Sequence, residues 1–167
     1  MTNIIPLSLE KNGKWTERGI RSIVLHHTAG KVSKTQTESI KIIRAINEEH
    51  KRRDWGGGAK APSITYHFAM DLLGNIWLLN HPKYKTWHAG VANDVSIGVV
   101  VLGNFQEHIP SDEETEIIKK SLNEIQRWIF WRYFIPRRNW IAHRDVKKTE
   151  CCGDYLYFIL QDWKNRK

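Results

Sequence analysis

Two imidazoles and one thiol in this 167-residue chain have the types and spacing of metal ligands. His143 and Cys151 lie eight residues apart, just after the strand-like run Trp140–Ala142, and the pair His26–His27 ends a second apolar run far upstream. Two histidines and one cysteine leave the fourth position of a tetrahedral zinc ion open for water, which is typical of catalytic rather than structural zinc sites. The set therefore predicts a zinc hydrolase.

Strand geometry leaves open which of the two adjacent histidines takes part. Neighbouring side chains of a strand point to opposite faces, so at most one of His26 and His27 faces the site that His143 serves. The alternation alone does not choose between them. A single histidine at a strand end is more often an ordinary polar residue, and the metal-site interpretation depends on further residues that fall into the same pattern.

Length and composition indicate one domain. The chain is long enough for one hydrophobic core, and its 41% hydrophobic and 26% charged residues are typical of a globular protein. It has no apolar run near the length of a membrane span, so we expect no membrane insertion. Residues 1–10 contain only a four-residue apolar run, too short for a signal peptide, and we expect a cytoplasmic protein or one exported by other means.

The charge of the chain favours anionic partners. Lys and Arg number 26 against 18 Asp and Glu, which gives a net charge of +8. Nucleic acid, anionic lipid and anionic wall polymers would all suit such a surface, but no nucleic-acid-binding motif accompanies it, and we expect no nucleic-acid partner. The two cysteines are adjacent, which favours free thiols over a disulfide.

Apolar periodicity predicts five strands and three helices, and hence an α/β sheet covered by helices. The strand-like runs are Ile23–His26, Tyr66–Met70, Ile76–Leu79, Ile97–Leu102 and Trp140–His143, with a hairpin turn at Asp71–Asn75. Capping boxes at Thr35–Glu38 and Ser111–Glu114 begin two helices, and the third helix runs from Asp154 to Trp163. Residues 53–63 form a glycine-rich loop. Three tryptophans at helical spacing are expected in the core: Trp128, Trp131 and Trp163.

Five blocks in a fixed order give the chain a family resemblance. They are Ser22–Ala29, Thr65–Phe68, Trp87–Gly90, Ser96–Val99 with Leu102–Phe105, and Ala142–Val146 with Thr149–Cys151. The chain resembles the zinc-dependent N-acetylmuramoyl-L-alanine amidases of the type-2 family, which includes phage amidase lysozymes and peptidoglycan recognition proteins. The resemblance covers residues 22–160. It implies a single domain over residues 1–167, with a central mixed β-sheet flanked by helices.

The resemblance also implies roles for individual residues. One Zn²⁺ would be held by His26, His143 and Cys151, which selects His26 over His27. The resemblance assigns catalytic roles to Tyr66 and Thr149 and places His88 in the cleft near the metal, where it would contact the substrate. The positions of Trp55 and Trp87, in loops beside the motif blocks, add two candidate substrate-binding residues. One departure is that the family pattern usually reads Cys-Pro-Gly where this chain reads Cys151-Cys152-Gly153, which leaves open which thiol binds the metal, although spacing favours Cys151.

Two of these assignments have alternatives. Tyr66 can donate a hydrogen bond to an oxyanion, but it can equally be a core aromatic with a satisfied hydroxyl. Trp55 and Trp87 lie in loops beside the motif blocks, where they would stack on sugar rings or simply cover the loop.

The function implied is hydrolysis of the amide between N-acetylmuramic acid and L-alanine in bacterial peptidoglycan. We expect a monomeric phage endolysin that stays in the host cytoplasm until it is released to the cell wall. Three alternatives remain: a non-enzymatic peptidoglycan-recognition module on the same fold, a cytoplasmic wall-recycling amidase, and a thiol hydrolase that uses Cys151 and His143.

Overall fold

The computed structural model describes residues 4–10 and 19–166. Six strands within these residues pair into one mixed sheet. They are β1 (Ile4–Pro6), β2 (Ser22–His27), β3 (Phe68–Met70), β4 (Ile76–Leu78), β5 (Ser96–Val101) and β6 (Trp140–Ala142). Their order is β1-β4-β3-β5-β2-β6, and among these pairs β3 with β4 is antiparallel. The predicted mixed α/β sheet is confirmed. The predicted domain ran from 1 to 167, of which residues 1–3, 11–18 and 167 lie outside the described part.

Strand β2, next to the edge strand β6, lies between two parallel neighbours. It pairs with β5, where His26 is opposite Val100, and with β6, where Leu25 is opposite Ala142. All six residues of β5 are buried, as expected for a parallel strand covered on both faces. Because parallel strands end at the same edge, His26 in the last two residues of β2 and His143, which directly follows β6, meet there.

Helices cover both faces of the sheet. They are α1 (Gln36–Arg52), α2 (Asp112–Tyr133) and α3 (Asp154–Asn165). Residues of α2 and α3 pack with Ile23 and Leu25 in one cluster. On the opposite face, Ile43 of α1 packs with Val100 of β5.

The two predicted capping boxes differ in the structure. At α2 both halves form: Ser111 Oγ accepts from the N–H of Glu114, and the Glu114 carboxylate accepts from the N–H of Ser111. At α1 the Thr35 hydroxyl accepts from the N–H of Glu38, but the Glu38 carboxylate accepts from the N–H of Lys34. The reciprocal bond of that predicted box is therefore displaced by one residue.

Three strands are shorter than predicted, β4 among them because it ends at Leu78 rather than Leu79, and the prediction for one tryptophan is wrong. β3 begins at Phe68 rather than Tyr66, and β6 ends at Ala142 because a 3-10 turn begins at His143. Trp128 and Trp163 are buried as predicted, but Trp131 is 71% exposed. Trp131 follows the buried Ile129 by two residues, which places it about 200° around the helix from the core face. The predicted hairpin turn between β3 and β4 is present, and β1 was not predicted.

No helix in the described part of the chain has the length and apolar character needed to cross a membrane.

Candidate active site

Three ligand-type side chains converge at the carboxyl edge of the sheet. One ligand atom from each of His26, His143 and Cys151 lies within 4.8 Å of the other two, and His26 Nδ1 is 3.7 Å from Cys151 Sγ. In a tetrahedral zinc site with ordinary Zn–N and Zn–S bond lengths, a nitrogen and a sulfur ligand lie about 3.6 Å apart. The donor set and its spacing therefore fit zinc.

Local backbone structure positions two of the three side chains. The 3-10 turn His143–Asp145 follows β6, and the Asp145 carboxylate accepts from the N–H of Ala142 at its start. The N–H of Arg144 donates to the carbonyl of Cys151 at 2.8 Å, which ties the cysteine loop to this turn. The eight-residue spacing of His143 and Cys151 thus corresponds to a loop that closes on itself.

Burial keeps the imidazoles in the form that binds a metal. It lowers the pKa of His26 well below the usual value, and the nearby imidazoles of His88 and His143 lower it further. Burial also lowers the pKa of His143, as does the charge of Lys147. Both rings are therefore neutral near pH 7, with a nitrogen lone pair available.

In each of the adjacent pairs, His26–His27 and Cys151–Cys152, the two side chains have different surroundings. His27 Nδ1 accepts from the N–H of Phe105 at 3.1 Å, so this histidine serves the loop after β5 rather than the cluster. Cys152 is fully buried and packs in the core on the α2 and α3 side of the sheet. The structure thus brings His26 and Cys151 together and turns their neighbours away.

His88 lies behind His26. Its Nδ1 is 3.0 Å from His26 Nε2, its Nε2 is 3.3 Å from Ser96 Oγ, and the residue is 6% exposed. The resemblance assigned His88 to the substrate, and the structure places its ring nitrogens against His26 and Ser96.

Tyr66 and Thr149 flank the cluster. The Tyr66 ring centroid lies 5.1 Å from that of His26. Burial raises the pKa of Tyr66, and the nearby Cys151 raises it further, so the phenol keeps its proton and can donate it in a hydrogen bond. Thr149 Oγ1 accepts from the N–H of Cys151 at 3.3 Å, which leaves its hydroxyl proton free to donate elsewhere.

A cleft of about 860 Å³ opens over the cluster. The half-buried Trp55 and Trp87 line it with ring centroids 6.5 Å apart, and Trp55 Nε1 donates to the carbonyl of His50. Three cationic side chains also line the cleft, Arg53, Lys85 and Lys147, together with the acidic Glu150. Lys85 is paired with Asp94, which leaves Arg53 and Lys147 as the cations that face a ligand. The walls therefore combine aromatic faces with positive charge, which suits a ligand that carries both sugar rings and carboxylates.

Comparison with known proteins identifies the family. A sequence model of the N-acetylmuramoyl-L-alanine amidase family matches residues 16–154. The chain belongs to this family.

Relatives within the family include proteins named for recognition. The chain is 25% identical to peptidoglycan-recognition protein SD of Drosophila melanogaster over 145 residues, which cover 87% of the chain and 73% of the relative. It is also 25% identical to mouse peptidoglycan recognition protein 1 over 148 residues, covering 87% of the chain and 76% of the relative.

Solved structures of both kinds share the fold. Bumblebee PGRP-SA superimposes with a TM-score of 0.79 at 22% identity, covering 96% of this chain and 94% of that one. The N-acetylmuramoyl-L-alanine amidase LysC of Clostridium intestinale superimposes with a TM-score of 0.74 at 22% identity, covering 98% of each chain. The fold therefore serves proteins named as amidases and proteins named for recognition.

Sequence reasoning missed several residues of the site. His50, Arg53 and Lys147 line the cleft, and Ser96 contacts His88 from β5. Arg53 and Lys147 each lie two residues before a predicted site residue, Trp55 and Thr149, so their position could have identified them. Ser96 begins one of the five family blocks, but that block indicates a sheet strand, and its contact with His88 depends on a separate loop.

Proposed function

We propose that the protein is a zinc-dependent N-acetylmuramoyl-L-alanine amidase that cleaves bacterial peptidoglycan. The observation that carries the proposal is the convergence of His26, His143 and Cys151, a three-ligand set with zinc spacing, at the floor of the large cleft. One Zn²⁺ per chain would be held there. The chemistry that zinc supplies in such a site is to lower the pKa of water to near 7 and to polarise a carbonyl.

Residues beside the cluster would assist amide hydrolysis. The reaction breaks the bond between the lactyl carbonyl and the nitrogen of L-alanine, and water supplies a hydroxyl group to the carbonyl and a proton to the amine. The protonated phenol of Tyr66 would donate to the carbonyl oxygen as negative charge develops on it. The Thr149 hydroxyl would provide a second donor at the other side of the cluster.

The cleft walls would bind the glycan and the peptide. Trp55 and Trp87 present aromatic faces on which sugar rings can stack. Arg53 and Lys147 would attract the carboxylates of a stem peptide. A similar protein, peptidoglycan recognition protein LE, has been solved in complex with tracheal cytotoxin, a monomeric diaminopimelic acid-type peptidoglycan. This supports peptidoglycan as the ligand class for the present cleft.

The thiol-hydrolase alternative is disfavoured by the state of its nucleophile. Burial raises the pKa of Cys151 to about 11, so without a metal the residue is a protonated thiol near pH 7. A catalytic cysteine requires a lowered pKa, because the thiolate is the nucleophile. A thiol next to two neutral imidazoles is instead a typical zinc ligand.

As for biological role, we propose a monomeric phage endolysin that stays in the host cytoplasm until it is released to the wall. The net charge of +8 supports action on an intact, anionic wall rather than on small soluble fragments.

Hydrolysis and recognition can be separated by one experiment. A purified muropeptide is incubated with three samples: the zinc-loaded protein, the protein stripped of metal by a chelator, and the stripped protein after zinc is added back. The products are identified by mass spectrometry. The proposal predicts cleavage between the lactyl group and L-alanine that chelation stops and zinc restores.

Adjacent histidines provide matched variants. His26→Gln should lose zinc and cleavage, whereas His27→Gln, which changes the same residue type one position away, should keep zinc. Binding without cleavage in the zinc-loaded protein would assign the chain to the recognition class. Cleavage that survives chelation but not alkylation would assign it to the thiol class.

A further inference from the structure

A chain of buried hydrogen bonds runs from the ligand His26 into the sheet. His26 Nε2 lies 3.0 Å from His88 Nδ1, and His88 Nε2 lies 3.3 Å from Ser96 Oγ. The Ser96 hydroxyl donates to the carbonyl of Ala92 at 2.6 Å. His26 and Ser96 are each 1% exposed, and His88 is 6% exposed, so bulk water does not replace these contacts.

The direction of each hydrogen bond in this series follows from its last acceptor, the carbonyl of Ala92. The carbonyl of Ala92 only accepts, so the single hydroxyl proton of Ser96 points to it. Ser96 Oγ can then only accept from His88, which places the proton of His88 on Nε2. Buried imidazoles with uncharged partners are neutral, so His88 Nδ1 is an acceptor, and the hydrogen between the two rings belongs to His26 Nε2.

We propose that His88 and Ser96 are positioning residues that hold His26 in the tautomer protonated on Nε2. The lone pair of His26 Nδ1 then faces Cys151 Sγ, 3.7 Å away, on the side where the metal would lie. This inference rests on the proposed zinc site. Outer partners of a metal-bound histidine fix its tautomer and orientation, and losing them typically costs 10- to 100-fold in metal affinity.

The strand and loop around His88 accommodate this arrangement. A Cβ atom at Gly98 of β5 would lie 2.7 Å from His88 Cγ, so the imidazole packs where β5 has no side chain. The carbonyl of Ala92 belongs to the 3-10 turn Gly90–Ala92, and Asn93 Oδ1 accepts from the N–H of Ala89 at the start of that turn. Ser96, which resembles a plain sheet residue in the sequence, thereby connects this loop to the metal site.

Zinc affinity tests the role of Ser96. Zinc dissociation constants are measured by competition with a chromophoric chelator for the full-length protein and for two variants. Ser96→Ala removes the hydroxyl that accepts from His88 Nε2, while the backbone carbonyl of Ser96, which also bonds this ring, is kept. The loss of the hydroxyl should weaken zinc binding about tenfold. Thr86→Val is the matched control, because Thr86 is fully buried and its hydroxyl lies 3.3 Å from a different imidazole, that of His67. It should leave zinc affinity unchanged.

Two substitutions of His88 separate hydrogen bonding from volume. His88→Asn keeps an acceptor oxygen at the same number of bonds from Cβ as Nδ1, whereas His88→Phe keeps the ring but has no acceptor. We expect the Phe variant to lose at least ten times more zinc affinity than the Asn variant, with both folded by circular dichroism. Equal losses in the two variants, or equal losses in Ser96→Ala and Thr86→Val, would overturn the proposal.

The tautomer can be observed directly, without substrate. Long-range ¹H–¹⁵N spectra of histidine-labelled protein should show His26 protonated on Nε2 in both the zinc-free and the zinc-loaded protein. A proton on Nδ1 in the zinc-free protein would overturn the proposal even if the enzyme is active. Conversely, the expected tautomer and zinc affinities in a protein that cleaves no muropeptide would refute the proposed function alone.

Discussion

Lowering the pH from 7.5 to 5 should destabilise the folded chain. Comparison with the His67→Gln variant measures how much of the lost free energy of unfolding comes from one buried histidine. His67 has no exposed surface. Its Nε2 donates to the carbonyl of Tyr84 at 2.9 Å, and its Nδ1 accepts from the N–H of Gly98 at 2.9 Å. A second proton on this ring would face that N–H. Burial lowers the pKa of His67 to about 4, although the Tyr84 carbonyl acts in the opposite direction.

The size and sign of the effect follow from this pKa. The ordinary histidine pKa is 6.5, so on acidification the unfolded chain takes up the proton before the folded chain does. The contribution of neutral His67 is complete above pH 6.5 and is lost as the pH falls towards 4. A difference of about 2.5 pKa units corresponds to a limit of about 3.4 kcal/mol, of which about 2 kcal/mol is lost by pH 5.

Urea unfolding at pH 7.5 and at pH 5 measures this contribution. The protein and the His67→Gln variant are compared in chelator, so that release of a metal does not add to the pH dependence. Gln does not titrate, and the variant should be less stable at pH 7.5 because it lacks the imidazole contacts. The stability gap should narrow by about 2 kcal/mol at pH 5. A gap of the same size at both pH values would refute the reasoning, because it would mean that His67 takes up its proton equally in the folded and unfolded chains.

Three further predictions concern the proposed reaction. Cys151→Ala should lose zinc and wall lysis, whereas Cys152→Ala should keep zinc, as measured by metal analysis; the reverse pattern would transfer the ligand role to Cys152. Tyr66→Phe should keep zinc and the fold while turnover drops roughly 10²- to 10³-fold, the usual cost of losing one oxyanion donor, and near-normal turnover would make Tyr66 a packing residue. Lysis of intact cells should weaken as salt rises, because exposed charges are screened beyond about 8 Å at physiological ionic strength, while cleavage of a soluble muropeptide should change little. If the two rates decline equally with salt, the positive charge of the protein has no special role in binding the wall.

Elements with local signals were predicted well. The Ser111 capping box and the buried face of α2 depend on contacts within one or two helical turns, and both appear as expected. Trp131 shows the limit of such patterns. It lies in the same helix as the buried Trp128, but its angle around the helix axis points it to solvent.

The ends of the strands could not be read from local pattern. The apolar run around Tyr66 extends beyond β3, and the run that includes His143 extends beyond β6. Each strand ends where pairing with a neighbour ends, and the neighbour comes from a distant part of the chain. These endings matter for function, because they release Tyr66 and His143 from the sheet next to the cleft.

The order of residues along the chain was enough to predict the available chemistry: a His-His-Cys donor set in an α/β chain, within motif blocks that follow the order of one family. The folded arrangement places His26 and Cys151, rather than His27 and Cys152, in the three-residue cluster. Strand alternation leaves the choice of histidine open, and spacing favours Cys151 without excluding Cys152. The tertiary structure also decided the partners of His26, which are His88, 62 positions away, and Cys151, 125 positions away. Contacts of that separation arise when parallel strands end at one edge of the sheet, and no local pattern of residues encodes them.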